Sequence, residues 1–220
     1  MEDISNVSIN PLINSNFLIP RRVKFVQNGQ RKLWDGISEH SDVQILVFNA
    51  SRNVFVFVKQ FRPAVYLSRS KTSTPPNSSI ETIDTQLFPG HLGVTIELCA
   101  GIVDKDLPAV EIAKAEVLEE CGYDVPASNF LKITSCRNGT DIAGSQVTLY
   151  YVEVTDAMRV SSGGGLADEG EFIEVVEMSV KETRNLIFDE SINREPCLLV
   201  ALQWFFHNMY SQVKLEEGDS

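Results

Sequence analysis

The feature that most constrains the fold is a strand, a tight turn and a helix in direct succession near the middle of the chain. Residues 94–99 (VTIELC) are apolar and β-branched, which predicts a strand that the following Ala-Gly pair ends. Residues 108–121 predict a helix, because apolar side chains recur at intervals of three, four and four, at Val110, Ala113, Val117 and Cys121. Pro108 suits the first turn of this helix, and Gly122 suits the position just past its end.

Three carboxylates lie close together on the predicted helix. Glu119 and Glu120 follow Glu116 by three and four residues, so the three side chains fall within an arc of about 100°. Like charges at this spacing repel one another, and nothing basic lies on that arc to relieve them. One interpretation is a solvated acidic face, and the other is a site for a divalent cation. Because carboxylate oxygens are hard ligands, such a site favours Mg²⁺ or Mn²⁺ over zinc.

The overall charge limits the partners that the chain can bind. Of its 220 residues 30 are acidic and 19 are basic, which gives a net charge of -11. Nucleic-acid phosphates and anionic membranes repel such a chain, so neither is expected as a partner, and a phosphorylated ligand would need a cation between itself and the protein. The chain has no apolar run of about 20 residues and no C-x-x-C pair among its four cysteines. We therefore expect a cytoplasmic protein with reduced thiols.

The first 37 residues predict a small antiparallel sheet. Residues 17–27 form one strand, Asn28-Gly29 is the strongest short hairpin signal, and residues 30–34 begin a second strand. A sheet of this size does not fold alone, so its apolar face must lie on the main domain or on another subunit. This divides the chain into an N-terminal β segment, residues 1–37, and a main domain, residues 38–220.

The main domain predicts an α+β fold, because strands and helices mix without strict alternation. Residues 68–89 are rich in Ser, Thr, Pro and Asn and predict a long surface loop, and the run SSGGG at 161–165 predicts a flexible turn. An amphipathic helix is expected at residues 195–210. Further strands are expected at residues 42–48, 54–61, 130–136, 146–154 and 172–178.

The spacing from the Ala-Gly turn to the end of the helix resembles the Nudix box, G-x5-E-x7-R-E-U-x-E-E-x-G-U, in which U is a bulky apolar residue. The glycines, the apolar positions and the three later glutamates, Glu116, Glu119 and Glu120, match the box at the right spacing. Two positions depart from it. The first glutamate of the box is Leu107 here, and its arginine is Ala115.

Segments outside the box are similar to the ADP-sugar and UDP-sugar pyrophosphatases of the Nudix family, and to the animal UDP-glucose pyrophosphatases (UDP-sugar diphosphatases) in particular. The resemblance covers nearly the whole chain, apart from the extreme termini and the loop at 68–89. It implies a Nudix α/β/α sandwich with a mixed sheet, preceded by the small β segment. Because the hairpin cannot bury its own face, we predict a homodimer in which it reaches across. The matching runs are ELCAGIVD at 97–104, KQFRP at 59–63, LADEGE at 166–171, KLWD at 32–35 and VTDA at 154–157.

The resemblance implies an enzyme and a reaction. It implies metal-dependent hydrolysis of the diphosphate bond of a nucleoside diphosphate sugar to a nucleoside monophosphate and a sugar 1-phosphate. UDP-glucose is the first choice of substrate and ADP-ribose the second. By analogy Glu116 and Glu120 hold Mg²⁺, with Mn²⁺ as the alternative, and the backbone carbonyl of Ala100 supplies another oxygen. Glu119 supports or shares that coordination.

Other matching residues receive roles by the same resemblance. In this branch of the family the base that activates water is carried on the late loop, where Glu169 is the match and Glu171 is the second choice or a metal partner. Arg62 is a candidate phosphate contact, because a guanidinium matches phosphate geometry. Gln60 lies on the same face of its strand, and Glu97 could hold ribose hydroxyls or metal.

The N-terminal segment carries the candidates for the nucleobase. Trp34 matches a tryptophan that stacks on the base in relatives, often from the partner subunit, and plain packing is its alternative role. Asp35 beside it could take a hydrogen bond from the base.

The two departures from the box bear on activity. An arginine in place of Ala115 would lie one helical turn before Glu119 and could fix the carboxylates, which alanine cannot do. Losing such support typically costs about 10- to 100-fold in metal affinity or activity. We therefore predict a working enzyme that is slowed. The first alternative is a nucleotide-sugar binding protein that has lost turnover, and the second is an acidic interaction protein with no affinity for Mg²⁺ or nucleotide sugars.

Overall fold

The computed structural model describes residues 2–13, 15, 18–74, 79–166 and 170–210. No helix within these ranges is both long enough and apolar enough to cross a membrane. The helices are α1 (Pro63–Arg69), α2 (Ala109–Cys121), α3 (Val180–Leu186) and α4 (Pro196–Asn208). The strands are β1 (Ser8–Ile9), β2 (Ile19–Gln27), β3 (Gln30–Ser38), β4 (Asp42–Asn49), β5 (Val54–Phe61), β6 (Thr72–Ser73), β7 (Glu81–Ile83), β8 (Val94–Glu97), β9 (Cys99–Ile102), β10 (Leu131–Asn138), β11 (Ser145–Val154), β12 (Glu174–Ser179) and β13 (Asn193–Arg194).

A mixed eight-stranded sheet forms the centre of the molecule. Six strands follow in the order β10-β11-β4-β5-β8-β13, while β9 pairs with β4 and β12 pairs with β5. The pairs β11–β4 and β13–β8 are parallel, and the other pairs in this sheet are antiparallel. The prediction of an α+β fold with a mixed sheet is confirmed.

The middle of the sheet is forked. Strands β4 and β5 pair over only three residues each, Val47–Asn49 with Val54–Val56, and then separate. Strand β8 pairs with the free end of β5, and β9 pairs with the free end of β4, so the chain changes partner at Leu98. The expectation that Ala100 and Gly101 end the strand was wrong, because both residues pair with β4 instead. The fork brings polar side chains of β4, β5 and β8 to one place beside β9.

Each face of the sheet is covered by one long helix. Successive residues of a strand point to opposite faces, so Val43, Ile45 and Val47 of β4 pack with Val117 and Cys121 of α2. The alternate residues of β4 and β5, among them Phe48 and Phe55, pack under α4. There the ring of Phe205 lies 5.1 Å from that of Phe48 and 4.7 Å from that of Phe55. This is the expected α/β/α sandwich.

Helix α2 ends where its sequence predicts and begins one residue later than expected. Pro108 is the N-cap, and Gly122 takes the left-handed conformation with φ 79°, so that its N–H bonds the Leu118 carbonyl. Of the four predicted inner positions Val110 is partly buried and Ala113, Val117 and Cys121 are buried, and Glu120 is buried with them. The helix therefore turns one carboxylate inwards towards the fork.

Two segments differ in detail from the sequence expectation. The stretch expected as a surface loop, residues 68–89, contains the end of α1 and the strands β6 and β7, which pair with each other, while β7 also pairs with β1. The helix α3 was not predicted; it begins with a capping box in which Ser179 and Glu182 bond each other's backbone N–H. Because α1 and α3 have only seven residues each, neither shows a full period of apolar side chains.

The N-terminal hairpin forms as predicted. Asn28 and Gly29 both have positive φ, 51° and 77°, as a two-residue hairpin turn requires. Strands β2 and β3 pair along their whole length, and large apolar side chains of both remain exposed. These are Ile19, Val23, Phe25, Val26, Leu33 and Trp34.

Candidate active site

A polar cleft of about 600 Å³ opens where the sheet forks and α2 begins to cover it. It gathers side chains that are far apart in the sequence, from β4, β5, β8, β9 and α2 and from residues near 170 and 195. Eight of the residues predicted for the site line it together, namely Gln60, Arg62, Glu97, Ala100, Glu116, Glu119, Glu120 and Glu171.

Glu120 lies deepest among these acids. Its residue is only 5% exposed, and its Oε2 accepts a hydrogen bond of 2.9 Å from the Ala100 backbone N–H. Burial raises the pKa of Glu120 to about 8, and the charges of Glu116 and Glu171 act in the same direction. Hydrogen bonds from the Ala100 N–H and the Cys99 thiol oppose this rise. The Ala100 hydrogen bond thus holds the Glu120 side chain in place, while burial and the neighbouring negative charges destabilise its ionised form.

Glu116 lies against the backbone of Gly101. A Cβ at position 101 would overlap the Cδ and Oε1 atoms of Glu116, so only glycine allows this approach. Burial, followed by the charges of Glu119 and Glu171, raises the pKa of Glu116 to about 7. The charge of Lys105 lowers it, so a basic group from the loop before the helix acts on the cluster.

Arg62 and Glu97 form an ion pair at the other side of the cleft. The Nε and Nη2 atoms of Arg62 donate to the Glu97 carboxylate at 2.9 and 2.6 Å. Gln60 and Thr95 also donate to Glu97, at 3.0 and 2.7 Å. Burial tends to raise the pKa of Glu97, but these donors and the Arg62 charge hold it below its ordinary value. Because the Arg62 side chain is 46% exposed, the guanidinium also faces the cleft.

A group that the sequence prediction missed completes the wall. Glu195 lies just before α4, and its Oε2 accepts a hydrogen bond of 3.2 Å from Gln44, whose Nε2 also donates to Asp42 at 3.0 Å. Burial raises the pKa of Glu195 to about 7, with the Glu97 charge acting in the same direction. Gln44 and Glu195 are 151 positions apart, so only the folded sheet brings them together.

Three predicted residues remain, of which two are described and lie outside the cleft. Trp34 and Asp35 are on the hairpin, where Trp34 Nε1 donates to the Asp141 carbonyl at 2.7 Å and Asp35 pairs with Arg22 at 2.6 Å. Within one chain these two residues do not line the cleft. Glu169 lies outside the described residues, although Leu166 and Glu171 on either side of it line the cleft.

Comparisons with known proteins identify the family. No model of a protein family matches the chain. The chain is 40% identical over 212 residues to uridine diphosphate glucose pyrophosphatase NUDT14 of Bos taurus, an alignment that covers 94% of this chain and 96% of the relative. The chain belongs to the Nudix hydrolase family. The Mus musculus protein of the same name is 36% identical over 222 residues, with coverage of 98% and 100%.

More distantly similar proteins include another pyrophosphatase and a solved hydrolase structure. GDP-mannose pyrophosphatase of Klebsiella pneumoniae is 28% identical over 195 residues, which cover 88% of this chain and 83% of the relative. A crystal structure of an ADP compounds hydrolase superposes with a TM-score of 0.64 over 94% of this chain and 93% of that one. At 13% identity this likeness concerns the fold alone.

The acids of this Nudix hydrolase fit the divalent metal on which the family generally depends. Carboxylate oxygens are the ligands that hard divalent cations prefer, and burial and neighbouring negative charges raise the pKa values of Glu116 and Glu120, which a bound cation would offset. In the described residues no three His, Cys, Asp or Glu side chains are close enough together to hold an ion. The donors are therefore of the right chemistry and line one cleft, although no three of the described side chains already form a metal site.

Proposed function

We propose that this hydrolase cleaves the diphosphate bond of UDP-glucose to give UMP and glucose 1-phosphate, with ADP-ribose as a second substrate. One observation carries the proposal. A chain 40% identical to a uridine diphosphate glucose pyrophosphatase gathers Glu116, Glu119, Glu120 and Glu171 in one cleft with Arg62. Anionic acids facing an anionic diphosphate make sense only with a cation between them.

The metal of our proposal is Mg²⁺, with Mn²⁺ as the alternative, held by Glu116, Glu120 and the Ala100 carbonyl, with Glu171 as a further ligand. When bound, it would neutralise charge on the diphosphate and make phosphorus easier to attack. Glu119 supports the ligands.

Arg62 positions the substrate in this proposal. Two of its nitrogens are engaged by Glu97, which orients the guanidinium and leaves its remaining edge to contact a phosphate oxygen. Lys105 adds positive charge on the α2 side of the cleft.

Glu169 is our candidate for the base. It would take a proton from the attacking water as the new O–P bond forms and the bond to the bridging oxygen breaks. Leu166 and Glu171, which precede and follow Glu169 in the sequence, both line the cleft, and this supports the proposed role.

We propose further that the chain acts as a homodimer in which a second copy covers the exposed apolar face of the hairpin. Val23 and Trp34 are paired across the hairpin on one face and are each more than half exposed, and Phe25 on the same face is exposed too, which is an unusual state for neighbouring large apolar residues. In such a dimer Trp34 and Asp35 would serve the nucleobase in the partner's cleft. Light scattering at micromolar concentration tests this, and a monomer would contradict it.

The compartment that we propose is the cytoplasm. All four cysteines are free thiols, three of them buried, as expected in a reducing environment. Fractionation of the native protein would check this.

The experiment that tests the activity follows product release from UDP-glucose and ADP-ribose with Mg²⁺ and with EDTA. We expect equimolar UMP and glucose 1-phosphate from UDP-glucose, no product in EDTA, and loss of at least about 100-fold in kcat for Glu120→Gln and Glu169→Gln. Asp189→Asn, an exposed surface change, is the control. If the wild type releases no product but calorimetry shows that it binds UDP-glucose, the chain is a binding protein.

A further inference from the structure

The wall of the cleft formed by Asp42, Gln44 and Glu195 has no role in the mechanism above. Gln44 is 4% exposed and lies between the two acids, to which its Nε2 donates at 3.0 and 3.2 Å. Its Oε1 is buried and has no hydrogen-bond partner among the described residues. A buried acceptor without a partner destabilises the fold, and only a ligand or water could supply the missing hydrogen bond here.

The acceptor groups of this wall disfavour the diphosphate of a nucleotide sugar and favour its hydroxyl groups. Asp42, Gln44 Oε1 and Glu195 supply acceptor oxygens on this wall. A diphosphate would be repelled by these groups, whereas a hydroxyl group can donate to each of them in a short, strong hydrogen bond. The wall therefore suits a neutral group that carries several hydroxyls.

The shape of the cleft favours a sugar ring over a nucleobase. No aromatic side chain lines the cleft within the described ranges, so the cleft offers no ring on which a base could stack. A second hollow of about 490 Å³ shares Asp42 and Asn138 with the cleft and continues past Glu39 and Ser145. There is room for a hexose beside the diphosphate site.

We propose that Asp42, Gln44 and Glu195 bind the hydroxyl groups of the glycosyl half of the substrate and thereby set the preference of the enzyme for its sugar. The proposal rests on the proposed function and specifies which part of the cleft binds the sugar. A hexosyl group supplies more hydroxyl donors than a ribose, which matches the three acceptors of the wall. The ribose of the nucleotide is the competing source of hydroxyls, and the test separates the two.

The test compares Gln44→Leu and Glu195→Gln with wild type in steady-state kinetics and product inhibition. We expect the KM for UDP-glucose to rise about 10-fold or more with kcat changed by less than about 3-fold, since these contacts are made equally before and during the reaction. The inhibition constant of glucose 1-phosphate should rise in parallel, and that of UMP should stay unchanged. Glu190→Gln, the same change at an exposed position five residues earlier, should leave the KM and both inhibition constants unchanged.

An unchanged KM in both variants would overturn the proposal, and so would a rise confined to the UMP constant, which would assign the wall to the ribose. A melting curve checks that each variant folds; if Gln44→Leu does not, Asp42→Asn takes its place. Should the wild type bind UDP-glucose without cleaving it, the proposed function fails. Calorimetry still tests whether the wall binds the sugar. Weaker binding of UDP-glucose by Glu195→Gln with unchanged binding of UDP supports the proposal, and equal weakening of both contradicts it.

Discussion

Replacing Glu97 with glutamine tests whether the Arg62–Glu97 network stabilises the fold as well as shaping the cleft. Glu97 accepts four hydrogen bonds of 2.6 to 3.0 Å, two of them from Arg62. Glutamine removes the charge and turns one acceptor oxygen into an NH₂ group that faces other donors. A hydrogen bond to a charged group contributes about 1.5–3 kcal/mol, and removing one partner of a buried ion pair costs about 3–5 kcal/mol.

The expected loss lies below the buried-pair range, because the Arg62 side chain is 46% exposed and water screens part of its charge. We expect Glu97→Gln to lower the free energy of unfolding by about 2–3 kcal/mol, which corresponds to a fall in melting temperature of about 4–12 °C for a chain of this size. Because the pKa of Glu97 is below its ordinary value of 4.5, this contribution is complete above pH 4.5. It is lost as the pH falls through the lowered pKa, so wild type and variant should converge in acid.

Scanning calorimetry at neutral pH measures the difference, and Glu174→Gln is the matched control. Glu174 faces Lys59 at 3.4 Å, but its side chain is 57% exposed, and surface pairs contribute about 0–1 kcal/mol. If both variants melt at the same temperature, burial does not distinguish the two ion pairs and the reasoning fails.

Two further predictions concern the acids near α2. Gly101→Ala should lower kcat/KM about 100-fold with little change in melting temperature, because the new Cβ displaces the flexible carboxylate of Glu116; activity and melting curves measured on one preparation check this. The metal-free protein should lose stability as the pH rises from about 4.5 towards 8, because Glu116 and Glu120 have raised pKa values of about 7 and about 8 and ionise more readily when unfolded. Added Mg²⁺ should restore stability most at the alkaline end, and a metal-free melting temperature that rises over this range would contradict the assignment.

The sequence predicted the parts of the fold that depend on local pattern. Apolar spacing located α2, and Asn28-Gly29 located the hairpin, because a helix period and a tight turn are properties of neighbouring residues. The fork of the sheet could not be predicted, since the change of partner at Leu98 depends on where β4 and β5 separate. The seven-residue helices α1 and α3 were missed because they are too short to show a period.

The residues of the candidate site that belong to sequence motifs could be predicted. The box and its flanking runs located the acids of α2, Glu97 and Arg62, which line one cleft. Gln44 and Glu195 belong to no motif, and their proximity arises from the tertiary fold. The sequence signal for Glu195 was modest: an acid directly before a proline that opens a helix.

The position of Lys105 bears on whether the two departures from the box disable the enzyme. Ala115 is exposed on α2 and cannot reach the cluster, so the arginine of the box has no replacement at its own position. Lys105, from the loop before the helix, lines the cleft, and its charge lowers the pKa of Glu116. A positive charge therefore faces the carboxylates from another element, which favours a slowed enzyme over a protein that only binds its nucleotide sugar.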